Sequence, residues 1–261
     1  MRTGAKYMPI GRADAPVRLL IFHYAGGSAL SLAPLAQAMP ASCASYLVEL
    51  PGRGLREHED FAPDFAMALA DLTPVVAGLV DRPAVLFGHS LGGLVAHGIL
   101  GRLPLGQQAL VTDLVLSAAR PPAALASQGR GPVQRSRGDV LRMLLDFGGC
   151  PPALFEDTEL LGRAVHLLDR DLRLIDTYQP GPRPAATVTT HIWRGMDDRQ
   201  LTAADMRSWR QDVGGEVREQ EFRGGHFFPS QDGAVAEGLR DLVLGASAGR
   251  RAGCARAESM P

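Results

Sequence analysis

Ala84-Val85-Leu86-Phe87-Gly88-His89-Ser90-Leu91-Gly92-Gly93 is the stretch on which the reading of this chain turns. Four apolar residues run into Gly-His-Ser-Leu-Gly, and a second apolar segment, Leu94 to Leu100, follows at once. The pattern is that of a buried strand, a sharp turn and a helix. In such an elbow the central residue is strained, and the positions two before and two after it must be small so that strand and helix can pass closely. Gly88 and Gly92 meet that need. Ser90 would then stand at a helix N-terminus, where unpaired amides and the helix dipole favour developing negative charge. Glycine accounts for 30 of 261 residues, so this pattern alone does not separate a nucleophile from a Gly-rich turn. Its partners must decide.

Outward from the elbow, short apolar runs alternate with segments of helical period. Val17 to Phe22, Ala44 to Leu50, Val85 to Phe87, Val111 to Ser117, Ala186 to Trp193 and Glu216 to Phe222 read as strands. Leu30 to Met39, Phe65 to Leu79, Thr202 to Val213 and Val235 to Leu244 read as helices. This rhythm predicts an α/β fold, a mostly parallel central sheet flanked by helices. Loops after Phe22, Leu50, Phe87 and Ser117 should share the rim at the carboxyl ends of the strands. From about residue 125 to 185 no strand is convincing. Val140 to Phe147 and Leu160 to Ile175 look helical there, around a polar stretch from Gly129 to Gly138 and a break at Gly148 to Pro152. An inserted helical lid is expected. One domain over 1–245 follows, with residues 1–16 a loosely held lead-in and 246–261 a disordered tail.

Composition removes whole classes of function. The 27 basic and 28 acidic residues leave a formal charge of -1, which gives no electrostatic case for nucleic acid or an anionic membrane. No run approaches the roughly 18 apolar residues needed to span a bilayer, and the first residues do not form a signal peptide. Cys43, Cys150 and Cys254 share no ligand-type spacing, so neither a disulfide framework nor a zinc site is expected. A cytoplasmic monomer without metal or redox cofactor is the expectation.

A serine hydroxyl needs a base within reach, and the base needs an acid to fix its tautomer. Ser90, then Asp197 or Asp198, then His226 appear in the order of the α/β-hydrolase triad, each after a predicted strand. His226 follows Gly224-Gly225 and precedes Phe227-Phe228, two rings that would bury one side of the imidazole. Within Gly195-Met196-Asp197-Asp198-Arg199-Gln200-Leu201, Asp198 is favoured, with Leu201 as an anchor for the loop; Asp197 is the alternative, and the spare Asp would cap the helix near Thr202. His89 should point away from the site, because neighbours on a tight turn diverge. The oxyanion needs two donors. The backbone N–H of Leu91 is one, and the N–H of Ala25, in the Gly-rich loop after the first strand, is the other.

The chain resembles the type II thioesterases that accompany modular polyketide and nonribosomal peptide synthases. The resemblance rests on Phe22-His23-Tyr24-Ala25-Gly26-Gly27, Pro51-Gly52-Arg53-Gly54-Leu55-Arg56, Gly88 to Gly93, Gly195 to Asp198 and Gly224-Gly225-His226-Phe227-Phe228. It implies an α/β-hydrolase fold with the nucleophile at Ser90, the base at His226, the acid in the Asp197-Asp198 pair and the donors at Leu91 and Ala25. It also implies hydrolysis of acyl groups from the phosphopantetheine arm of an acyl or peptidyl carrier protein, a transient partner, clearing stalled or misprimed chains. Arg53 and Arg56 would orient the loop beside the site, meet the carrier's acidic surface or the arm's phosphate, or simply form surface salt bridges. A general carboxylesterase, or an acyltransferase with the same triad, is the alternative.

Overall fold

The structure, a computed structural model, describes residues 4–126, 133–148 and 153–257. Its strands are β1 (Tyr7–Ile10), β2 (Val17–Phe22), β3 (Cys43–Val48), β4 (Ala84–His89), β5 (Val111–Ser117), β6 (Thr189–Gly195) and β7 (Val217–Phe222). They form one sheet in the order β1-β3-β2-β4-β5-β6-β7. Only β1 runs antiparallel, against β3; the other pairings are parallel. The helices are α1 (Ala33–Gln37), α2 (Phe65–Leu79), α3 (Leu91–Leu100), α4 (Leu105–Gln108), α5 (Pro122–Ala126), α6 (Arg137–Phe147), α7 (Ala153–Glu156), α8 (Thr158–Asp176), α9 (Ala203–Ser208) and α10 (Ala234–Ala257).

Residues of β2, β3 and β4 are buried throughout, as a parallel sheet covered on both faces requires. Strand alternation divides the burial. Leu20 and Phe22 join the cluster built on α2 and α3 with Leu69, Leu72, Leu94 and Ile99, whereas Leu19 and Ile21 face Val235, Leu239 and Val243 of α10. The sheet grows from β2 to β3 on one side and then, through α2, to β4 on the other. That reversal opens a crevice at the carboxyl ends of β2 and β4, where ligands bind in open α/β sheets. The elbow sits in this crevice.

The elbow depends on close approach. A Cβ added to Gly92 would lie 2.2 Å from the Phe22 carbonyl oxygen, and one at Gly88 would lie 2.2 Å from the Gly92 carbonyl. Between β5 and β6 the regular elements among the described residues are helices, α5, α6, α7 and α8. Val140 of α6 and Val165, Leu168 and Leu172 of α8 form a small core of their own that rests on Ala25. The parts of the Gly129 to Gly138 and Gly148 to Pro152 stretches at 129–132 and 149–152 lie outside the described residues.

Three expectations need correction. The lead-in is not loose, because Tyr7 to Ile10 pair with Ser45 to Val48 and the Tyr7 ring packs edge-on against Tyr46. Pro9 is tolerated there because an edge strand can spare a donor. The disordered tail from 246 is also wrong over most of its length, since α10 continues to Ala257. Ala246 is buried against the sheet, and a segment rich in Ala and Arg has high helix propensity; 258–261 lie outside the described residues. The helix read over Thr202 to Val213 is shorter, with α9 giving way to a single tight turn, Trp209–Gln211. Among the described residues no helix is long and apolar enough to cross a membrane.

Gly92→Ala is expected to lower stability by about 3 kcal/mol or more, because the new methyl must push α3 off the end of β2. Gly78→Ala, where a Cβ meets nothing within 4 Å, should leave stability unchanged or raise it by up to about 1 kcal/mol. Denaturant unfolding of the two variants checks the contrast.

Candidate active site

Ser90 has φ 54° and ψ −116° at the N-cap of α3, a conformation that costs on the order of 1–3 kcal/mol and is held by its surroundings. Its N–H donates to the Ser117 carbonyl at 2.7 Å, and its own carbonyl accepts from Gly93 N–H at 3.0 Å. The strained residue is thus tied to β5 behind it and to the first turn of α3 ahead.

The two other triad candidates meet. His226 Nδ1 lies 2.9 Å from Asp198 Oδ2, with both side chains buried. Asp198 Oδ1 accepts from Gln200 N–H at 2.7 Å, and Leu201 is fully buried, anchoring the loop. Asp197 is exposed; its N–H donates to the Gly224 carbonyl at 2.9 Å and ties the acid loop to the histidine loop. Gly195 permits that approach, since a Cβ there would meet the Gly224 and Gly225 carbonyls at 2.4 and 2.3 Å. Of the two aspartates it is therefore Asp198 that faces the imidazole. The helix near Thr202 is capped by Thr202 and Asp205, so Asp197 has no capping role. An ionised carboxylate only accepts, so Nδ1 carries the proton and Nε2 keeps its lone pair.

Ser90 and His226 line the same cavity of about 450 Å³. Its walls are Leu94, Leu125, Met143, Phe147, Leu172 and Ile175, from α3 and the helical insertion. Polar groups join them at one side, where Arg135 forms a two-pronged ion pair with Asp176 at 2.6 and 2.7 Å. Phe147, at the end of α6, stacks on His226 at 5.5 Å and 28°. Phe227 meets that ring edge-on, while Phe228 packs into the core against Phe222. The imidazole is thus covered by one neighbouring Phe and one from the insertion, rather than by Phe227 and Phe228.

At the elbow two backbone donors remain open. Among the described residues, nothing accepts from the N–H of Leu91 or of Ala25. The Tyr24–Ala25 peptide is fixed from its other end: the Tyr24 carbonyl accepts from His23 Nδ1 at 2.9 Å and from Gly27 N–H at 3.0 Å. In a trans peptide the N–H points opposite to the carbonyl, so these bonds set the direction of Ala25 N–H. His23 is a buried part of this device and lies 3.3 Å from Glu49.

A model of the thioesterase domain family matches residues 17–242, most of the chain. The chain belongs to the thioesterase domain family. It is 32% identical over 235 residues to the probable cadicidin biosynthesis thioesterase of Streptomyces griseus, covering 87% of this chain but only 61% of that relative. Among solved structures, the type II thioesterase BorB from the borrelidin biosynthetic cluster has a TM-score of 0.73 at 28% identity, covering 93% of this chain and 96% of that one. RedJ, a thioesterase from the prodiginine pathway of Streptomyces coelicolor, has a TM-score of 0.75 at 26% identity, covering 89% and 86%. The fold is the α/β-hydrolase fold of these thioesterases.

The two arginines of the Pro-Gly-Arg-Gly-Leu-Arg loop are internal to this thioesterase domain, not surface groups awaiting a phosphate. Arg56 pairs with Asp71 at 2.6 Å and with Glu59, and donates to the Glu49 carbonyl at 3.1 Å. Arg53 is paired with Asp171 of α8, both buried. Removing one partner from a buried pair typically costs about 3–5 kcal/mol, so these residues fix loops and are unavailable to a carrier.

His89 does not line the cavity but packs behind His226. It is fully buried, bonded through Nδ1 to Ser117 Oγ at 2.9 Å, and its ring lies 5.3 Å from that of His226. Burial holds its pKa well below the ordinary imidazole value, with the nearby His226 adding to the effect. It forms a neutral floor behind the site. His97 donates through Nε2 to the Asp212 carbonyl at 2.9 Å and packs on Trp209; burial lowers its pKa too. His191 bonds Asp113 at 2.8 Å and His166 packs on Phe61, so neither joins the site. The Cys43 thiol is pushed up to about 11 by burial, which leaves it protonated and unreactive at neutral pH. Among the described residues no group of three or more His, Cys, Asp or Glu converges as a metal site would require.

Asp198→Asn is expected to lower kcat by about 10³ to 10⁴ through loss of the correct tautomer, whereas Asp197→Asn should stay within about twofold; steady-state kinetics separates them. His89 and His97 bind protons more readily in the unfolded chain, so stability should fall as pH drops below about 6.5, by up to about 1.4 kcal/mol per pH unit for each. His97→Gln should flatten that slope by one proton in denaturant unfolding followed from pH 7 to 5.

Proposed function

We propose that this protein hydrolyses acyl thioesters held on the phosphopantetheine arm of an acyl or peptidyl carrier protein, clearing stalled or misprimed chains from a polyketide or nonribosomal peptide assembly line. The observation that carries the reading is the meeting of Ser90, on a strained elbow, with the Asp198-bound His226 at one apolar cavity. The relatives' printed roles in cadicidin, borrelidin and prodiginine biosynthesis supply the setting.

In the first half-reaction Ser90 Oγ attacks the thioester carbonyl carbon while His226 Nε2 takes the hydroxyl proton. The carbonyl oxygen becomes an oxyanion and accepts from Leu91 and Ala25 N–H, the two donors left open at the elbow. Collapse breaks the C–S bond, and the thiol leaves with the proton from His226. Water then enters; His226 takes one of its protons, the hydroxide attacks the acyl-enzyme, and the proton passes to Ser90 Oγ as the carboxylic acid departs. Asp198 stabilises the imidazolium in both halves without taking its proton. The acyl chain occupies the cavity beneath α6 and α8, whose apolar walls accept hydrocarbon.

One acyl group presented on a phosphopantetheinylated carrier, on free pantetheine and as an oxyester, with Ser90→Ala as control, tests the reading. Fastest release from the carrier, lost in the control, is the expected result. Equal or better turnover of the oxyester would indicate a general esterase, and no Ser90-dependent turnover would overturn the hydrolase mechanism.

A further inference from the structure

The Pro-Gly-Arg-Gly loop, the Ala-Gly-Gly loop and the helical insertion converge on one carboxylate. Asp171 of α8 is almost wholly buried, and its Oδ2 accepts from Gly26 N–H at 2.7 Å and from Arg53 Nη1 at 2.6 Å. Its Oδ1 accepts from Arg53 Nη2 at 2.7 Å. Gly26 has φ 78°, and Leu168, one turn before Asp171 on α8, packs within 3.5 Å of where a Gly26 Cβ would stand. The insertion therefore touches the backbone immediately after Ala25.

We propose that Asp171 is a positioning residue for the oxyanion hole, so that the hole is complete only while α8 is seated. The proposal rests on the hydrolase reading above. Ala25 lies between two peptide planes. The plane before it, which carries the Ala25 N–H, is held by His23 and Gly27 through the Tyr24 carbonyl. The plane after it is held by Asp171 through Gly26 N–H. The Gly27 N–H that holds the Tyr24 carbonyl lies beyond this second plane, so the first plane, and the Ala25 N–H in it, keeps its direction only while the second is held. Without Asp171, the second plane is free to turn about a glycine, the residue with the least resistance to turning. Arg53 serves to hold the carboxylate: a two-pronged pair leaves it one orientation, and that orientation presents Oδ2 to Gly26. The insertion is thereby more than a wall of the acyl cavity. It carries one support of the group that stabilises the transition state.

The test uses the full chain, an acyl-pantetheine substrate and an alkylboronic acid, whose tetrahedral adduct on Ser90 places an oxygen in the hole. Asp171→Ala is expected to reduce kcat about a hundredfold, the scale for losing one oxyanion donor, with KM within about twofold and boronate affinity falling in step. Asp171→Asn, which keeps an acceptor, should recover most of the loss. If Asp171→Ala does not fold, two charge-free pairs replace it: Arg53→Met with Asp171→Asn, and Arg53→Met with Asp171→Leu. The pair retaining an acceptor should keep a kcat at least about tenfold above that of the apolar pair, which should show the hundredfold deficit. Folded variants with unchanged kcat and boronate affinity, or a rise in KM alone, would overturn the proposal while leaving the hydrolase reading intact. Absence of wild-type turnover and of boronate binding would overturn the hydrolase reading, and this one with it.

Discussion

The passage of α3 across the carboxyl end of β2 is the contact on which the site depends. With the Phe22 carbonyl 2.2 Å from where a Gly92 Cβ would stand, no larger residue fits without moving the helix. That approach sets three things at once. It forces Ser90 to φ 54°, lifting it out of the strand-to-helix path. It aims the first amides of α3 into the crevice between β2 and β4. It also brings the loop that leaves β2, with Ala25 in it, beside the nucleophile. Strain at one residue is stabilised by packing along two whole elements, because Leu20, Phe22, Leu94 and Ile99 bury a common face.

The acid–base half is assembled by a second close approach, on the other side of the elbow. Gly195 lets the turn after β6 meet the turn after β7, and the Asp197 N–H to Gly224 carbonyl bond locks them. Asp198 then faces inward because its neighbour's backbone is used in that lock, while the Asp197 side chain turns to solvent. The imidazole has few freedoms left. Asp198 fixes one nitrogen, Phe147 stacks on one face, and the buried, neutral His89 lies behind it. A neutral floor matters, since a second charge at that distance would oppose any positive charge on His226.

Buried charge elsewhere around the site has a structural task. The pairs Arg53–Asp171 and Arg56–Asp71, with His23 beside Glu49, join the loops after β2 and β3 to α2 and α8. Such pairs gain little net stability over apolar packing, but they tolerate only one arrangement of partners. Loops that lie outside the sheet and the α-helices acquire a unique geometry in this way, as amide donors fixed in advance require.

Much of this was legible in the residues. Period-two and period-three-to-four apolar patterns mark most of the strands and helices, the glycines mark the elbow, and Ser90, then Asp197 or Asp198, then His226 stand in the order of a hydrolase triad, because each of these signals is local in sequence. The short edge strand at Tyr7 to Ile10 was not legible, since a partner strand rather than local pattern stabilises it, and the long reach of α10 was not, since its Ala and Arg carry helix propensity without an apolar period. The sequence left two aspartates open as the acid, and two arginines open as either loop supports or phosphate ligands. Folding decided both, through contacts between residues such as Arg53 and Asp171 that stand 118 positions apart. Residue type and spacing determine which chemistry is available. Which carboxylate meets which cation, and which amide is left free, depends on close approaches between distant segments that no local pattern encodes.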